Sequence, residues 1–162
     1  MIKESVERAI NEQIKNEFES AYLYLAMSAR ATEMGLPGMA HWLRAQYEEE
    51  RGHALRLLDF LADRGGTVNL QALGQPATDF DSPLDLFKTV LAHEQKITGL
   101  VNKLYELALQ ENDYPTQIEM QWFINEQVEE ERTAAGIVEQ LKMAGKDSVA
   151  LFLVDKELGS RE

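Results

Sequence analysis

Residues 63–83 read DRGGTVNLQALGQPATDFDSP, and this stretch decides how the rest of the chain is wound. It lies between two segments of strong helical periodicity and carries Gly65, Gly66, Gly74, Pro76 and Pro83, so it is a connection between helices. From residue 66 to 82 it spans roughly 55 Å when extended. The helix before it, near 38–64, is about 40 Å long. The connection is therefore long enough to run the length of a bundle and start the next helix parallel to the last. A disordered linker is the alternative. Val68, Leu70, Leu73 and Phe80 argue instead that the connection packs on something. Ser82, Pro83 and Asp85 mark where it ends: an N-cap serine, a first-turn proline and a capping-box acid.

Working outward, the other connections are short. EMGLPG (33–38), NDYP (112–115) and AGKDS (144–148) separate helices expected near 4–33, 38–64, 83–112, 115–144 and 148–158. Gly65 and Gly145 suit C-terminal caps. Helices joined by a few residues are antiparallel neighbours, so the expected architecture is all-α. It is a four-helix bundle of two hairpins, with a long crossover between helices two and three and a short fifth C-terminal helix, in a single domain over 1–162. A faint internal repeat supports it. At an offset of 80 residues, Trp42, Leu43, Glu49, Glu50, Leu57, Leu61 and Gly65 fall on Trp122, Phe123, Glu129, Glu130, Ile137, Leu141 and Gly145.

The chain has 162 residues, 44% hydrophobic and 27% charged, enough for one real core. No apolar run approaches the ~18 residues of a membrane span, and the charged opening MIKESVERAINEQ lacks a signal-peptide core. There are no cysteines, hence no disulfide framework and no thiolate metal site, and the expected location is the cytoplasm. The net charge of −12 argues against nucleic acid or an anionic membrane as partner and favours cations.

Each long helix carries an apolar stripe, and each stripe is interrupted at its middle by a glutamate. The first runs Val6, Ile10, Ile14, Glu17, Ala21, Tyr24, Ser28. The second runs Met39, Leu43, Tyr47, Glu50, Ala54, Leu57, Leu61. The third is Phe87, Val90, Leu91, Glu94, Ile97, Val101, Tyr105, and the fourth Phe123, Gln127, Glu130, Ala134, Ile137, Leu141. In a bundle, helix midpoints meet at one level. A lone buried carboxylate costs several kcal/mol or keeps its proton, and four together repel strongly unless cations sit among them. No stripe supplies Lys or Arg. His53, three residues after Glu50 in EEERGH (48–53), adds an imidazole on the same helical turn. This is the ligand pattern of carboxylate-bridged dinuclear sites in bundle cores. Mixed carboxylate and imidazole ligation suits iron or manganese better than magnesium, calcium or copper(I).

Three further groups stand beside this pattern. Glu49, Glu126 and Glu129 lie just around the helix from the site, as a solvated face or as a third cation position. His41 and His93 lie off their stripes and are read as surface residues. Glu111 and Asp113, at the turn between helices three and four, are either an access route for cations or an ordinary acidic turn.

The whole chain resembles the bacterial non-haem ferritins. The resemblance is carried by Glu17 with Tyr24, by EEERGH with Glu50 and His53, by AHEQ (92–95) with Glu94, and by INEQVEEER (124–132) with Gln127 and Glu130. DSVALFLVDKEL (147–158) is similar to the fifth helix of that family's subunit. The resemblance implies a ferroxidase centre with two irons per chain. One iron is held by Glu17, Glu50 and His53, the other by Glu50, Glu94 and Glu130, with Glu50 bridging. It implies that Gln127 hydrogen-bonds near the bound oxygen species or water, and that Glu49, Glu126 and Glu129, with Glu130 shared, form a third iron site. Tyr24 matches a tyrosine beside the centre that supplies an electron or a hydrogen bond, and Trp122 is a second candidate for the redox role. It also implies a hollow homo-oligomer of twenty-four subunits, Fe(II) and dioxygen or hydrogen peroxide as substrates, and a stored ferric oxyhydroxide mineral.

Departures separate close relatives. Bacterioferritins have two Glu-x-x-His motifs and a haem-ligating methionine after the first glutamate. Here the second motif is Gln127-x-x-Glu130 and residue 51 is Arg51, so no haem is expected. Rubrerythrins carry a cysteine-bound iron module, which a chain without cysteine cannot build. Two other functions fit the residues alone: a dinuclear oxidase acting on an organic substrate, and a metal-free structural bundle.

Overall fold

The computed structural model describes residues 2–161 and consists of five helices: α1 (Glu4–Glu33), α2 (Pro37–Asp63), α3 (Pro83–Gln110), α4 (Tyr114–Ala144) and α5 (Ser148–Leu158). The expected limits hold to within two residues. The largest departure is the end of α3, which stops at Gln110 because Asn112 has φ 55° and cannot continue a right-handed helix. The sequence signals at the ends are physical caps. Ser82 Oγ accepts the Asp85 N–H at 3.1 Å. The Asp85 carboxylate accepts from the Asp81 N–H at 3.2 Å, so the box closes one residue further out than expected. Asp113 and Asp147 cap α4 and α5 in the same way. Gly65 (φ 70°) and Gly145 (φ 54°) take the left-handed positions that end α2 and α4.

Two apolar clusters reveal which helix ends meet. One joins Tyr24 and Met27 late in α1, Trp42 and Leu43 early in α2, Phe87 and Val90 early in α3, and Ile137 and Leu141 late in α4. The other joins Ile10 and Ile14, Leu57 and Leu61, Val101 and Leu104, and Met120 and Phe123, the opposite ends of the same four helices. Helices α2 and α3 therefore run parallel to each other and antiparallel to α1 and α4, as a long crossover requires. Each fully buried side chain of this size contributes about 1.5–3 kcal/mol. Tyr47, Leu91 and Tyr105, at the edges of their stripes, are only half-buried.

The crossover is held by polar as well as apolar contacts. Buried Asn11 donates to the Thr67 carbonyl (2.9 Å) and accepts the Asn69 N–H (2.7 Å), pinning its start to α1. Phe80 is buried and Val68 packs against the second cluster. Leu70 and Leu73 do not pack inward as expected: they stay 66% and 42% exposed at the rim of an apolar groove shared with Ile14 and Phe18. The reason is geometric, because an extended strap presents side chains on both sides and only one side meets the bundle.

Helix α5 docks on α2 and α4. Its buried Asp155 accepts the Gly38 N–H (3.0 Å) and the Met39 N–H (2.8 Å), satisfying donors at the start of α2. Among the described residues no helix is long and apolar enough to cross a membrane.

Candidate metal centre

Between the two apolar clusters lies a buried polar belt. Glu17, Glu50, His53, Glu94, Gln127 and Glu130 are all buried in it, one level of the bundle drawing a carboxylate from each long helix. Their backbones are placed by the apolar residues one turn above and below, so the acids are carried inward by helices whose packing they do not themselves favour.

Glu17, Glu50 and His53 form the tightest group, with one ligand atom from each lying within 4.8 Å of the others. His53 Nδ1 is 3.4 Å from Glu50 Oε2 and 4.0 Å from Glu17 Oε2. The His53 ring is held edge-on by Trp122 and Phe123, at centroid distances of 5.3 and 5.7 Å. Trp122 is covered in turn by the Arg56 guanidinium, 3.9 Å from its ring centroid. Across the belt, Glu94 receives the Tyr24 hydroxyl on Oε1 and the Gln127 amide on Oε2 (3.1 Å). Glu130 Oε2 accepts from Gln46 Nε2 at 2.9 Å, and Glu17 Oε1 from Gln13 Nε2 at 2.7 Å.

These neutral donors leave the acids far from satisfied. Glu17 Oε2 and Glu50 Oε1 are buried and have no hydrogen-bond partner among the described residues. Burial, then the charge of Glu50, pushes the Glu17 pKa well above its usual value. Burial, then Glu94, does the same to Glu50. Burial raises Glu94 against the opposing hydrogen bonds from Tyr24 and Gln127. Glu130 is pushed up to about 7 by burial and by Glu94 and Glu49. Tyr24 is raised too, by burial and by Glu94. Oxygen atoms without partners beside an imidazole are what a cation would satisfy, and the hard oxygen and nitrogen donors fit iron or manganese.

The second acidic group is only partly assembled. Glu49 and Glu126 come together with His53, ligand atoms within 4.8 Å of one another. The exposed Glu129 does not join them and lies 4.0 Å from Arg132. It stands two residues from inward-facing Gln127, roughly 200° around the helix.

The histidine expectation needs correction. His93 is not a surface residue: it is partly buried, its Nε2 lies 2.8 Å from Ser20 Oγ, and burial holds its pKa down at about 4. Residues 74–77 of the crossover line one groove with it, and the Tyr24 ring stands edge-on to it at a centroid distance of 6.0 Å. His41 is exposed as expected. Glu111 and Asp113 do not offer free charge for an access route. Glu111 accepts from Lys3 Nζ and Ser5 Oγ, both at 2.8 Å, and Asp113 holds Arg64 through two bonds of 2.9 and 3.0 Å. Gln13 and Gln46 were missed by the sequence reading. The signal for Gln13 was available, since it stands at i−4 from Glu17, to which it donates, whereas Gln46 donates across the bundle to Glu130, a pairing that no local spacing gives.

The chain matches the ferritin-like domain family over residues 7–144. It is 41% identical over 161 residues to a bacterial non-heme ferritin of Bacteroides fragilis, covering 99% of this chain and 100% of that protein. A bacterial non-heme ferritin of Staphylococcus aureus is 37% identical over 161 residues, covering 99% and 97%. Among solved structures, the open-pore ferritin of the hyperthermophilic archaeon Archaeoglobus fulgidus superposes with a TM-score of 0.99 at 44% identity, covering 100% of both chains.

Proposed function

The chain belongs to the ferritin family, and from that premise we propose that it stores iron and oxidises Fe(II) at the buried carboxylate belt before storage. The observation that carries the proposal is the belt itself: four buried glutamates and His53 at one level, with Glu17 Oε2 and Glu50 Oε1 lacking partners. Fe(II) is the substrate. Glu17, Glu50 and His53 take one ion; Glu50, Glu94 and Glu130 take the second, with Glu50 shared between them.

The roles of the residues follow from charge. Two divalent ions neutralise four carboxylates that otherwise keep protons, so uptake releases those protons as the ions enter. Anionic oxygen ligands favour the ferric over the ferrous ion. Dioxygen then takes one electron from each iron, or hydrogen peroxide serves as the oxidant. Gln127 and Tyr24 hold Glu94 in position through its two oxygens. Hydrolysis of the ferric product releases further protons and yields an oxyhydroxide that leaves the belt. Glu49 and Glu126, which share His53 as a neighbour, are the third cation position on the way out, with Glu130 adjoining. Glu129 reaches that position only if its side chain swings inward.

The same proposal takes residues 1–162 as one ferritin-like domain, working in the cytoplasm without haem, as a homo-oligomer of twenty-four chains around a mineral cavity. The exposed apolar face of α5, with Val149, Phe152 and Leu153, supports association between copies. The test is oxygen consumption on adding two Fe(II) per chain to metal-free protein. Fast uptake that Glu94→Gln abolishes supports the centre; uptake no faster than in buffer overturns it.

A further inference from the structure

The segment after α5 returns to the bundle and places one cation at the edge of the belt. The Arg161 guanidinium donates to Glu49 Oε2 and to Gln46 Oε1, both at 2.5 Å. Its plane lies over Trp42, 5.0 Å from the ring centroid, and its backbone carbonyl is 2.7 Å from His41 Nε2. Four contacts thus hold a residue that ordinary surface arginines leave free.

Each of the two polar contacts bears on the centre. Glu49 is one of the acids grouped with His53 and Glu126. The guanidinium sets a positive charge on Glu49 Oε2, beside the place where a metal ion would bring its own. Gln46 is the donor to Glu130 Oε2. A guanidinium only donates, so the Gln46 oxygen must face Arg161, and its NH₂ is thereby turned towards Glu130. The line Arg161, Gln46, Glu130 connects the C-terminal segment to a residue of the belt.

We propose that Arg161 is a tethered cation that stands in for the third metal ion at Glu49 and orients Gln46 on Glu130, so that a third ion binds against its charge or displaces it. This inference rests on the two-metal reading of the belt above. Arg161 is a positioning residue: it acts on Glu49 and Gln46 and not on the reacting atoms. The ion pair is roughly one-third exposed, so displacement is a modest step and not a permanent block.

The probe is Zn²⁺, which binds without redox chemistry, titrated calorimetrically into metal-free assembled protein. The wild type is expected to take two tight ions per chain and a third more weakly. Arg161→Gln, which removes the charge from a partly exposed side chain, is expected to tighten the third by roughly two- to fivefold. Arg161→Lys restores the weak third ion, because the charge returns. Glu49→Gln combined with Arg161→Gln loses the gain. An unchanged third affinity in Arg161→Gln, with both tight ions retained, overturns the inference alone. A gain that survives in the double variant also overturns it, since the new ion then sits elsewhere. Failure of the wild type to take two tight ions overturns the two-metal reading, and the inference with it.

Discussion

Glu50 holds Oε2 3.4 Å from His53 Nδ1 and buries Oε1 with no hydrogen-bond partner among the described residues. One oxygen thus faces the imidazole while the other is left without a donor, and Glu94 is the largest charge acting on it after burial itself. That is the arrangement expected of a carboxylate shared by two ions. Glu50→Ala is therefore expected to lower the affinity for both cations by more than about 100-fold, whereas Glu17→Ala and Glu130→Ala each weaken one. Counting bound Zn²⁺ per chain in each variant checks this. Equal losses in all three would contradict the bridging role.

The electrostatics predict an unusual pH dependence for protein stripped with a chelator. Glu130 keeps its proton to about 7 in the fold but loses it near 4.5 when unfolded. Between those values the folded state binds more protons, so stability falls as pH rises and levels off above the folded pKa. The decline is on the order of 3 kcal/mol for Glu130 alone. Glu17, Glu50 and Glu94 are shifted in the same direction and add to it. Asp113, held low by Arg64, acts in the opposite sense at more acid pH, and His93, held down at about 4 against its usual 6.5, offsets part of the decline between those values. Thermal denaturation at pH 5 and pH 8 should show the higher midpoint at pH 5, and added divalent cation should restore the midpoint at pH 8. A midpoint that rises with pH without metal would refute the account of the belt.

Tyr24 packs in the apolar cluster and sends its hydroxyl to Glu94. Tyr24→Phe keeps the ring and removes one donor. Cation stoichiometry should stay the same while Fe(II) oxidation slows by roughly tenfold. Stopped-flow absorbance of the ferric product measures the rate. Loss of a bound ion would instead make Tyr24 a structural requirement of the site.

Docking of α5 depends on a residue without a side chain. A Cβ at Gly38 would lie 1.7 Å from the Asp155 carbonyl oxygen, backbone that cannot give way without moving α5. Gly38→Ala should loosen α5 and cost about 1–3 kcal/mol or more, the general cost of forcing atoms into a filled contact. Gly99, with nothing within 4 Å of its would-be Cβ, makes the control. Gly99→Ala should stabilise α3 by about 0.5–1 kcal/mol. Denaturation midpoints and sedimentation of the two variants separate the effects.

The features legible in the sequence were those written in local periodicity. The four stripes, their central glutamates and His53 follow from helical spacing, and the parallel course of α3 from the length of residues 66–82. What escaped depends on contacts between distant segments. His93 looked like a surface residue because its own helix turns it off the stripe; Ser20 and Tyr24 on α1 pack against it. Glu129 looked equivalent to Glu49 under the offset of 80, but Glu49 meets the C-terminal segment and Glu129 lies beside Arg132. Arg161 gave no signal, since its partners are 112 and 115 residues away. Leu70 and Leu73 were over-read, because apolar residues in a strap need not all face one way.

The most direct test of the central claim is iron loading. Fe(II) is added in air, in increments, to metal-free protein, and the iron that stays with the protein is counted per chain. The account predicts retention far beyond the two or three ions the belt and its neighbour acids hold, inside a large assembly. Saturation at two or three per chain would contradict storage and leave only a buried binding site.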